Sequence, residues 1–356
     1  MIKKDKLFDI LPDVDAVVIT SQNNRLYFTE FNGTFGVLVL TRDDASYITD
    51  FRYFEMAREA MQNSGIDVLL CENGAKAYEI ASDLLHNINA KKVGYEDTET
   101  TVSAAKILFD RLPDFEFTPA GKAILTVRQV KDDRELDLIA KAQQITDKAF
   151  SKILTIIKGD MTEYDVSVEL EYQLRKNGAE GLAFETIIAS GSNSSKPHAH
   201  PTSKKIKNGD AITMDFGARY KGYCADMTRT VFYGKPNDEM KNIYNTVLKA
   251  QLNTITNMRC GMIGKEVDAL ARQVIVSAGY TKHFNHGLGH SVGIDIHESP
   301  SCNPVSEEVL MENMLMTVEP GIYVPDFGGV RIEDLVIVKQ DKIIDLTTSS
   351  KEIIVL

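Results

Sequence analysis

The stretch AITMDFGARYKGYCADMTRTV, residues 211–231, decides the fold. Two carboxylates, Asp215 and Asp226, fall on the two arms of a predicted β-hairpin whose turn lies at residues 220–222. A turn centred between residues 220 and 221 places the two aspartates directly opposite each other on one face of the sheet. Because like charges in such a pair destabilise it, the sequence predicts a cation between them, and hard carboxylate oxygens suit a divalent ion.

A second hairpin is predicted within residues 317–338, TVEPGIYVPDFGGVRIEDLVIV. Its turn-prone PDFGG segment centres the pairing on Asp326, which places Glu319 opposite Glu333. The two hairpins together can bring four carboxylates to one site. Such a cluster repels itself strongly, and two divalent cations would neutralise it.

The composition is that of an ordinary soluble globular protein. The chain has 356 residues, 43% of them hydrophobic and 26% charged, which is enough for two domains and a large core. A net charge of −11 and a pI near 5.2 argue against a nucleic-acid partner or an anionic membrane. The N-terminal segment has no signal-peptide core, and no later run reaches transmembrane length. Four widely spaced cysteines form no CxxC pair, so neither a disulfide framework nor a thiolate zinc site is indicated, and a reducing cytoplasm is the expected setting.

The chain divides into a predicted first domain, residues 1–125, and a second domain, residues 126–356. In the first, short β-branched runs alternate with helical patterns, which is typical of an α/β layer domain. Strands are expected at 16–20, 36–40, 67–70 and 91–95, and helices at 51–64, 76–88 and 101–111.

The pattern of the second domain indicates helix pairs followed by hairpins, in an order that occurs twice. Its first helix begins at a capping box formed by Asp132 and Glu135 and is expected to end at Gly159. Further helices are predicted at about 162–177, 237–255 and 265–278, and a strand at 184–190.

Histidine usage supports a metal site. Five of the seven histidines lie in two short segments, KPHAHP and NHGLGHSVGIDIHESP. The glycines of the second segment permit irregular backbone that can approach a ligand closely. A neutral imidazole beside carboxylates is a common ligand set for Mn, Co, Fe or Zn. The five are His198, His200, His286, His290 and His297.

Four segments in this order, MDFGARYKGYCADMTRT, HGLGHSVGIDIHE, VEPGIY and GVRIEDLVIV, resemble the metallopeptidases of the pita-bread fold, and within them the Xaa-Pro dipeptidases (prolidases) and Xaa-Pro aminopeptidases. The first domain resembles the creatinase-type N-terminal domain through DFRYFEMAREA, residues 50–60. Methionine aminopeptidases share the catalytic fold but lack that domain. The resemblance therefore implies a creatinase-type α/β domain followed by an α+β pita-bread catalytic domain.

The resemblance also implies two divalent metal ions per chain, held by five residues that match by type. Asp226 and Glu333 would bridge the ions. Asp215 would complete one ion, and His290 with Glu319 would complete the other. Mn or Co is the expected metal, with Zn or Fe as alternatives.

Four residues are expected to be catalytic. Glu319 would relay a proton to the leaving nitrogen, and His297 would stabilise charge on the carbonyl oxygen. His198 and Arg331 resemble the histidine that handles substrate and the arginine of the active site. The implied reaction is hydrolysis of the bond between an N-terminal residue and proline by a metal-bridged hydroxide. The expected substrate is a short proline-containing peptide, either an Xaa-Pro dipeptide or a longer Xaa-Pro peptide, and the expected assembly is a homodimer.

Some residue assignments stay open. His198 and His200 compete for one role, and His286 fits a supporting or structural role. Arg331 can simply pair with one of the acids at residues 333 and 334. Tyr323 fits a packing residue or a pocket wall.

Two other functions stay open as well. A pita-bread scaffold can act as a non-catalytic binding module, and a creatinase-like amidinohydrolase uses the fold without metals. The intact five-ligand set favours the metallopeptidase over both.

Overall fold

The computed structural model describes residues 2–356 and separates into two compact units, one ending at Arg128 and the other beginning at Gln129. The division falls at the end of the helix Gly121–Gln129. The sequence analysis places the boundary between residues 125 and 126, inside this helix.

The first unit contains a mixed sheet of six strands. They are β1 (Ala16–Ile19), β2 (Val37–Thr41), β3 (Ala45–Asp50), β4 (Asp67–Cys71), β5 (Lys92–Tyr95) and β6 (Glu116–Pro119). Their order is β4-β3-β2-β1-β5-β6, with β1 parallel to β5 and antiparallel to β2. The four predicted strands are confirmed. Two strands, β3 and β6, are not among those predicted. The polar residues of β3 hide a strand that is paired on both sides and buried throughout. β6 is short and ends in a proline.

Six helices accompany this sheet. They are α1 (Ile2–Ile10), α2 (Gln22–Thr29), α3 (Phe54–Ala60), α4 (Gly74–Asn87), α5 (Val102–Arg111) and α6 (Gly121–Gln129). On α4, Ala77, Ala81 and Leu85 recur every four residues and are buried in the core of the unit with strand residues. An α/β layer domain is therefore confirmed.

The second unit contains two pairs of long helices and a short 3₁₀ helix, Gly191–Ser195. The long helices are α7 (Asp133–Ile153), α8 (Glu163–Lys176), α9 (Asp238–Asn257) and α10 (Gly264–Ser277). The predicted capping box is present, since the Asp132 and Glu135 side chains each accept the other residue's backbone N–H. The predicted end of α7 at Gly159 is wrong. After Ile153 the bonds tighten to the third residue back, as from Thr155 to Lys152, and the apolar pattern continues through turns.

Thirteen short strands complete the second unit. They are β7 (Gly181–Leu182), β8 (Ile187–Ser190), β9 (Ala211–Phe216), β10 (Ala218–Tyr220), β11 (Tyr223–Cys224), β12 (Met227–Phe232), β13 (Gly289–Ser291), β14 (Glu298–Cys302), β15 (Leu315–Val318), β16 (Gly321–Val324), β17 (Gly328–Arg331), β18 (Asp334–Val338) and β19 (Ile343–Asp345). One core joins α7 and α8 to β9 and β12, and another joins α9 and α10 to β15 and β18. The predicted order of helix, helix and hairpin therefore does occur twice.

The first hairpin has a different register from the predicted one. Asp215 pairs with Thr228, not with Asp226, because the loop consists of Lys221 and Gly222. Both loop residues have positive φ, 48° and 84°, as a two-residue hairpin turn of type I′ requires. The correction shifts the pairing by two residues, so the two aspartates still share a face, as diagonal neighbours.

The second hairpin has the predicted register. Gly321 pairs with Arg331 and Val318 with Asp334, which centres the hairpin on Asp326. Asp326 has a φ of 59° in the turn. Glu319 and Glu333 therefore lie opposite each other, between the strand pair β15–β18 and the strand pair β16–β17.

None of the helices within residues 2–356 has the length and apolar composition that a bilayer-spanning helix needs. In the same part of the chain all four cysteines are free, and Cys71, Cys224 and Cys302 are buried. Burial raises the pKa of the Cys224 thiol to about 12, so it is a packing residue rather than a nucleophile.

Candidate metal centre

The five predicted metal ligands lie on short strands of the second unit or directly beside the ends of strands. Asp215 is on β9, and Asp226 directly precedes β12. His290 is the middle residue of β13. Glu319 follows β15, and Glu333 precedes β18.

Close backbone contacts bring these strand ends together. The Glu333 N–H donates to the carbonyl of Thr228 on β12, and the Glu319 N–H donates to the carbonyl of Leu288 just before β13. Gly289 lets β13 lie directly against β15, since a Cβ there would stand 2.1 Å from the carbonyl oxygen of Thr317. The two hairpins and the glycine-rich segment therefore converge on one place.

The side chains converge as well. One carboxylate oxygen from each of Asp215, Asp226 and Glu333 lies within 4.8 Å of the others. The His290 Nε2 atom is 3.7 Å from the Asp226 carboxylate and 3.5 Å from that of Glu319. The structure thus brings all five predicted ligands into one cluster.

Two carboxylate oxygens in the cluster show that the site fits a cation. Within residues 2–356, Asp215 Oδ1 and Asp226 Oδ1 are buried and accept no hydrogen bond. A buried carboxylate oxygen without a donor is unfavourable, and a divalent ion satisfies it. Four carboxylates with one imidazole are ligands that Mn, Co, Fe and Zn accept.

Burial and mutual repulsion perturb the acids of the cluster. Burial, then the charges of Glu333 and Asp215, raises the pKa of Asp226 well above its usual range. Burial, then the charges of Glu319 and Asp215, does the same to the pKa of Glu333. Burial raises the pKa of Glu319 to about 7, against the opposing effect of Arg331. Without cations the cluster therefore binds protons more tightly than ordinary carboxylates do, and bound ions would replace them.

His290 is prepared to act as a neutral ligand. Burial lowers its pKa to about 4. Its Nδ1 atom lies 3.0 Å from the carbonyl oxygen of Ser291, so Nδ1 carries the proton and donates it there. The lone pair is thereby on Nε2, the atom that faces the carboxylates.

Two threonines orient the glutamates, and the sequence analysis does not identify either. The Thr228 hydroxyl donates to Glu333 at 2.7 Å, and the Thr317 hydroxyl donates to Glu319 at 3.1 Å. Alternation along the strands offers a weak signal for them, since Thr317 precedes Glu319 by two residues on the same face. Threonine is common in strands, so spacing alone does not separate these two from the others.

Arg331 is buried, and each of its three guanidinium nitrogens donates a hydrogen bond. It donates to Asp215 at 2.6 Å, to the Thr228 hydroxyl at 3.0 Å and to the Tyr323 hydroxyl at 2.8 Å. It also donates to the carbonyl oxygen of Pro197 at 3.2 Å. The simple pairing with its acidic neighbours is wrong: Asp334 instead pairs with Arg229 at 2.7 Å.

A cavity of about 530 Å³ opens onto the cluster. The His297 ring lies 4.4 Å from the His290 ring, measured between ring centres. His198 and His200 are both exposed and both line the cavity, so the choice between them stays a prediction. Besides the five ligands, the residues that line the cavity include His198, His200, His286, His297, Tyr323 and Arg331.

His286 and Tyr323 form a polar chain that ends at Arg331. The His286 Nδ1 atom donates to its neighbour's carbonyl, and Nε2 lies 3.1 Å from the Tyr323 hydroxyl. Burial lowers the pKa of His286 to about 4, so its neutral Nε2 accepts the tyrosine proton. His286 is thus a supporting residue, and Tyr323 is a hydrogen-bonding residue as well as a wall.

Two known protein families match this chain, one in each of its two units. Residues 137–340 match metallopeptidase family M24, and residues 12–130 match the creatinase/prolidase N-terminal domain. The chain belongs to metallopeptidase family M24. It is therefore a metallopeptidase with a creatinase-type N-terminal domain and a pita-bread catalytic domain, as the sequence analysis predicts.

Three relatives extend over nearly the whole M24 chain. The Xaa-Pro dipeptidase of Pyrococcus furiosus is 36% identical over 346 residues, which cover 96% of this chain and 95% of the relative. The structure of the Xaa-Pro dipeptidase from Bacillus anthracis has a TM-score of 0.95 at 39% identity and covers 100% of this chain and 99% of that one. The structure of the X-Pro aminopeptidase from Thermotoga maritima has a TM-score of 0.92 at 34% identity, with 98% and 99% covered.

Membership of M24 also bears on the cluster. M24 metallopeptidases use divalent metals, and the acidic group formed by Asp215, Asp226 and Glu333 is a candidate site for such ions in this M24 chain.

Proposed function

We propose that this chain hydrolyses the bond between an N-terminal residue and a following proline, in Xaa-Pro dipeptides or in longer peptides that begin with Xaa-Pro. The observation that carries the proposal is the convergence of four carboxylates and a neutral imidazole on one cavity. Support for the substrate comes from the relatives named as Xaa-Pro dipeptidases at 36% and 39% identity.

The centre would hold two divalent ions, with Mn or Co expected. Asp226 and Glu333, the two acids buried most deeply, would be shared between the ions. Asp215 would serve one ion, and His290 with Glu319 would serve the other. The ions would supply Lewis acidity, which lowers the pKa of water and polarises a carbonyl group.

Glu319 is placed to move a proton. Thr317 holds one oxygen of its carboxylate at 3.1 Å. A carboxylate beside the ions can accept a proton from water and pass it to a leaving group. In this proposal Glu319 takes the proton of the attacking water and gives it to the leaving nitrogen.

His297 and His198 would handle the substrate. His297 lines the cavity beside His290, from where its ring N–H can donate to the carbonyl oxygen as negative charge develops. His198 lies on the exposed rim, where it can contact the peptide. Arg331 would hold Asp215 in place, because its Nη2 atom donates to that carboxylate.

Proline fits such a site for a physical reason. The proline nitrogen has no N–H, and its ring fixes φ near about −65°. Peptidases that hold substrate as an added strand lose a hydrogen bond at proline. In this site binding would depend on the cavity and the metal cluster, so that loss would not arise.

A metal-free amidinohydrolase and a binding scaffold receive less support. Neither needs four converging acids, two of which have buried oxygens without a donor. Without cations, such acids destabilise the folded chain.

The test uses chelated protein with a metal series and matched peptides. Hydrolysis of Ala-Pro and Ala-Pro-Ala should vanish on chelation and return with Mn²⁺ or Co²⁺, whereas Ala-Ala and Ala-Ala-Ala should stay nearly uncleaved. Equal activity of the metal-free protein would contradict the mechanism. Equal turnover of the alanine peptides would contradict the proline specificity. The ratio of dipeptide to tripeptide turnover then distinguishes a dipeptidase from an aminopeptidase.

A further inference from the structure

Lys131 places a positive charge in the interior of the second unit. It directly precedes the capping box of α7, and its side chain is 1% exposed. The ammonium group lies 2.9 Å from the Ser291 hydroxyl, 3.1 Å from the Glu298 carboxylate and 3.3 Å from the carbonyl oxygen of Gln129. An ammonium has three N–H groups, so these three acceptors use its full donor capacity.

The two side chains that Lys131 joins face each other across an irregular strand pair. Ser291 on β13 is paired with Glu298 on β14, and the pairing shifts register between His290 and Ser291. The ladder of backbone hydrogen bonds is interrupted at such a shift. Lys131 donates a hydrogen bond to one residue on each of these two strands.

Each of these partners adjoins a histidine of the candidate centre. Ser291 follows His290 and accepts its Nδ1 proton on the backbone carbonyl. Glu298 follows His297, and its second oxygen accepts the N–H of Asp295 at 3.2 Å. The two histidine rings lie 4.4 Å apart. A displacement of either partner would therefore move a ring of the centre.

We propose that Lys131 is a positioning residue that fixes His290 and His297 relative to each other by joining Ser291 to Glu298. The inference rests on the proposed function, because it assigns the two histidines to metal binding and catalysis. Lys131 itself touches neither metal nor substrate.

Stability alone is a weak reason for such a pair. Desolvation offsets much of the attraction between a buried lysine and a buried glutamate, and well-packed apolar residues are often as stable. An apolar pair would fill the volume but would not fix directions. Two directed hydrogen bonds hold Ser291 and Glu298 at a set separation, and a third anchors the ammonium group to Gln129. A metal site requires such fixed positions of the residues behind its ligands.

The test compares Lys131→Met with Ser291→Ala and with the control Ser306→Ala. Lys131→Met keeps the stem and removes the ammonium, and Ser291→Ala removes one of its three acceptors. Ser306 is also a buried serine of this unit, and within residues 2–356 its hydroxyl has no hydrogen-bond partner. Three quantities are measured: Mn²⁺ affinity of the chelated protein by calorimetry, kcat and KM on Ala-Pro-Ala, and the urea midpoint.

We expect Lys131→Met to weaken Mn²⁺ binding about 10- to 100-fold, which is the effect of losing a residue that orients a ligand. Its kcat should fall about 100-fold, as displacement by about 1 Å can cause, while KM changes by less than about threefold. Ser291→Ala should shift Mn²⁺ affinity and kcat the same way by a smaller factor, and Ser306→Ala should match the wild type.

A folded Lys131→Met protein with wild-type Mn²⁺ affinity and kcat would overturn the proposal, even if its urea midpoint fell. If Lys131→Met does not fold, Ser291→Ala decides, and wild-type values for it would overturn the proposal equally. Failure of the wild type to cleave both Ala-Pro and Ala-Pro-Ala would count against the proposed function alone, because the Mn²⁺ measurement still tests the positioning.

Discussion

At the scale of single residues, the acids of the centre are not equivalent. Asp226 and Glu333 are 4% and 2% exposed, and burial with mutual repulsion raises the pKa of each well above its usual range. Asp215 is less buried and is held by Arg331 at 2.6 Å. This difference agrees with the proposal that Asp226 and Glu333 are shared between two ions and that Asp215 serves a single ion.

Asp226→Asn and Glu333→Gln should each abolish the paired metal site. The amide keeps the shape but removes the charge, so we expect fewer than two Mn²⁺ per chain by calorimetry. Activity on Ala-Pro-Ala should fall by at least about 100-fold, the upper range for losing even an outer partner of a ligand. Glu312→Gln, at an exposed glutamate, serves as the control. A variant that still binds two ions per chain would refute the shared assignment.

Arg331→Lys should reduce activity although it keeps the charge. A lysine cannot reproduce the planar fork that holds Asp215, Thr228 and Tyr323 together. We expect kcat/KM to fall about 10- to 100-fold, with weaker Mn²⁺ binding because Asp215 loses its support. Arg259→Lys, at an exposed arginine, should leave both quantities unchanged. Wild-type kcat/KM in Arg331→Lys would show that charge alone is sufficient.

At the scale of elements, the hairpin register shows what the sequence can predict. Residue types and turn signals place four acids on two hairpins, and the PDFGG turn gives the correct centre at Asp326. In the first hairpin the choice of loop residues depends on backbone conformation, which residue types suggest only loosely. The resulting error is two residues, an even number, so Asp215 and Asp226 remain on one face.

Contacts across long chain separations are the part that the sequence could not predict. Thr228 meets Glu333 across 105 residues, and Lys131 meets Glu298 across 167. Neither a threonine in a strand nor a lysine before a helix differs in pattern from its many surface counterparts. Only the packing of the two hairpins and the glycine-rich segment gives these residues their partners.

Gly217→Ala tests the junction between the two parts of the first hairpin. A Cβ at Gly217 would stand 1.8 Å from the carbonyl oxygen of Ala225, next to Asp226. The strands must then separate, and we expect a loss of about 1–3 kcal/mol in unfolding free energy together with weaker Mn²⁺ binding. Gly181→Ala is the matched control, since a Cβ there meets nothing within 4 Å, and it should stay within about 0.5 kcal/mol. Equal urea midpoints for the two variants would contradict the predicted clash.

At the scale of the whole molecule, we expect a homodimer. The first unit exposes large apolar side chains, among them Phe51 at 78%, Met56 at 61% and Leu70 at 52%. Large apolar side chains that are exposed in the single chain are available for a contact with a second copy. Light scattering after gel filtration should give about twice the chain mass of 39.6 kDa. A mass equal to one chain would contradict the dimer.

Metal binding should be linked to protonation of the ligand residues, and through it to the stability of the whole chain. Burial raises the pKa of Glu319 to about 7 and lowers that of His290 to about 4. Near pH 6 the metal-free chain therefore keeps a proton on Glu319 and none on His290, so ion binding displaces protons from the acids. We expect Mn²⁺ affinity to rise between about pH 5.5 and about pH 7.5, with proton release measured by calorimetry in buffers of different ionisation enthalpy.

The sign for stability follows from the same two pKa shifts. A raised carboxyl pKa stabilises the metal-free chain below the ordinary value of 4.5, and this contribution is lost as the pH rises through about 7. The lowered histidine pKa acts in the opposite direction between about pH 4 and about pH 6.5. Bound Mn²⁺ should therefore increase the unfolding temperature more at about pH 7.5 than at about pH 5.5, since its stabilisation grows with affinity. Glu319→Gln has no carboxyl proton to release at that position and should show a smaller pH effect, whereas an equal Mn²⁺ shift at both pH values in the wild type would contradict the linkage.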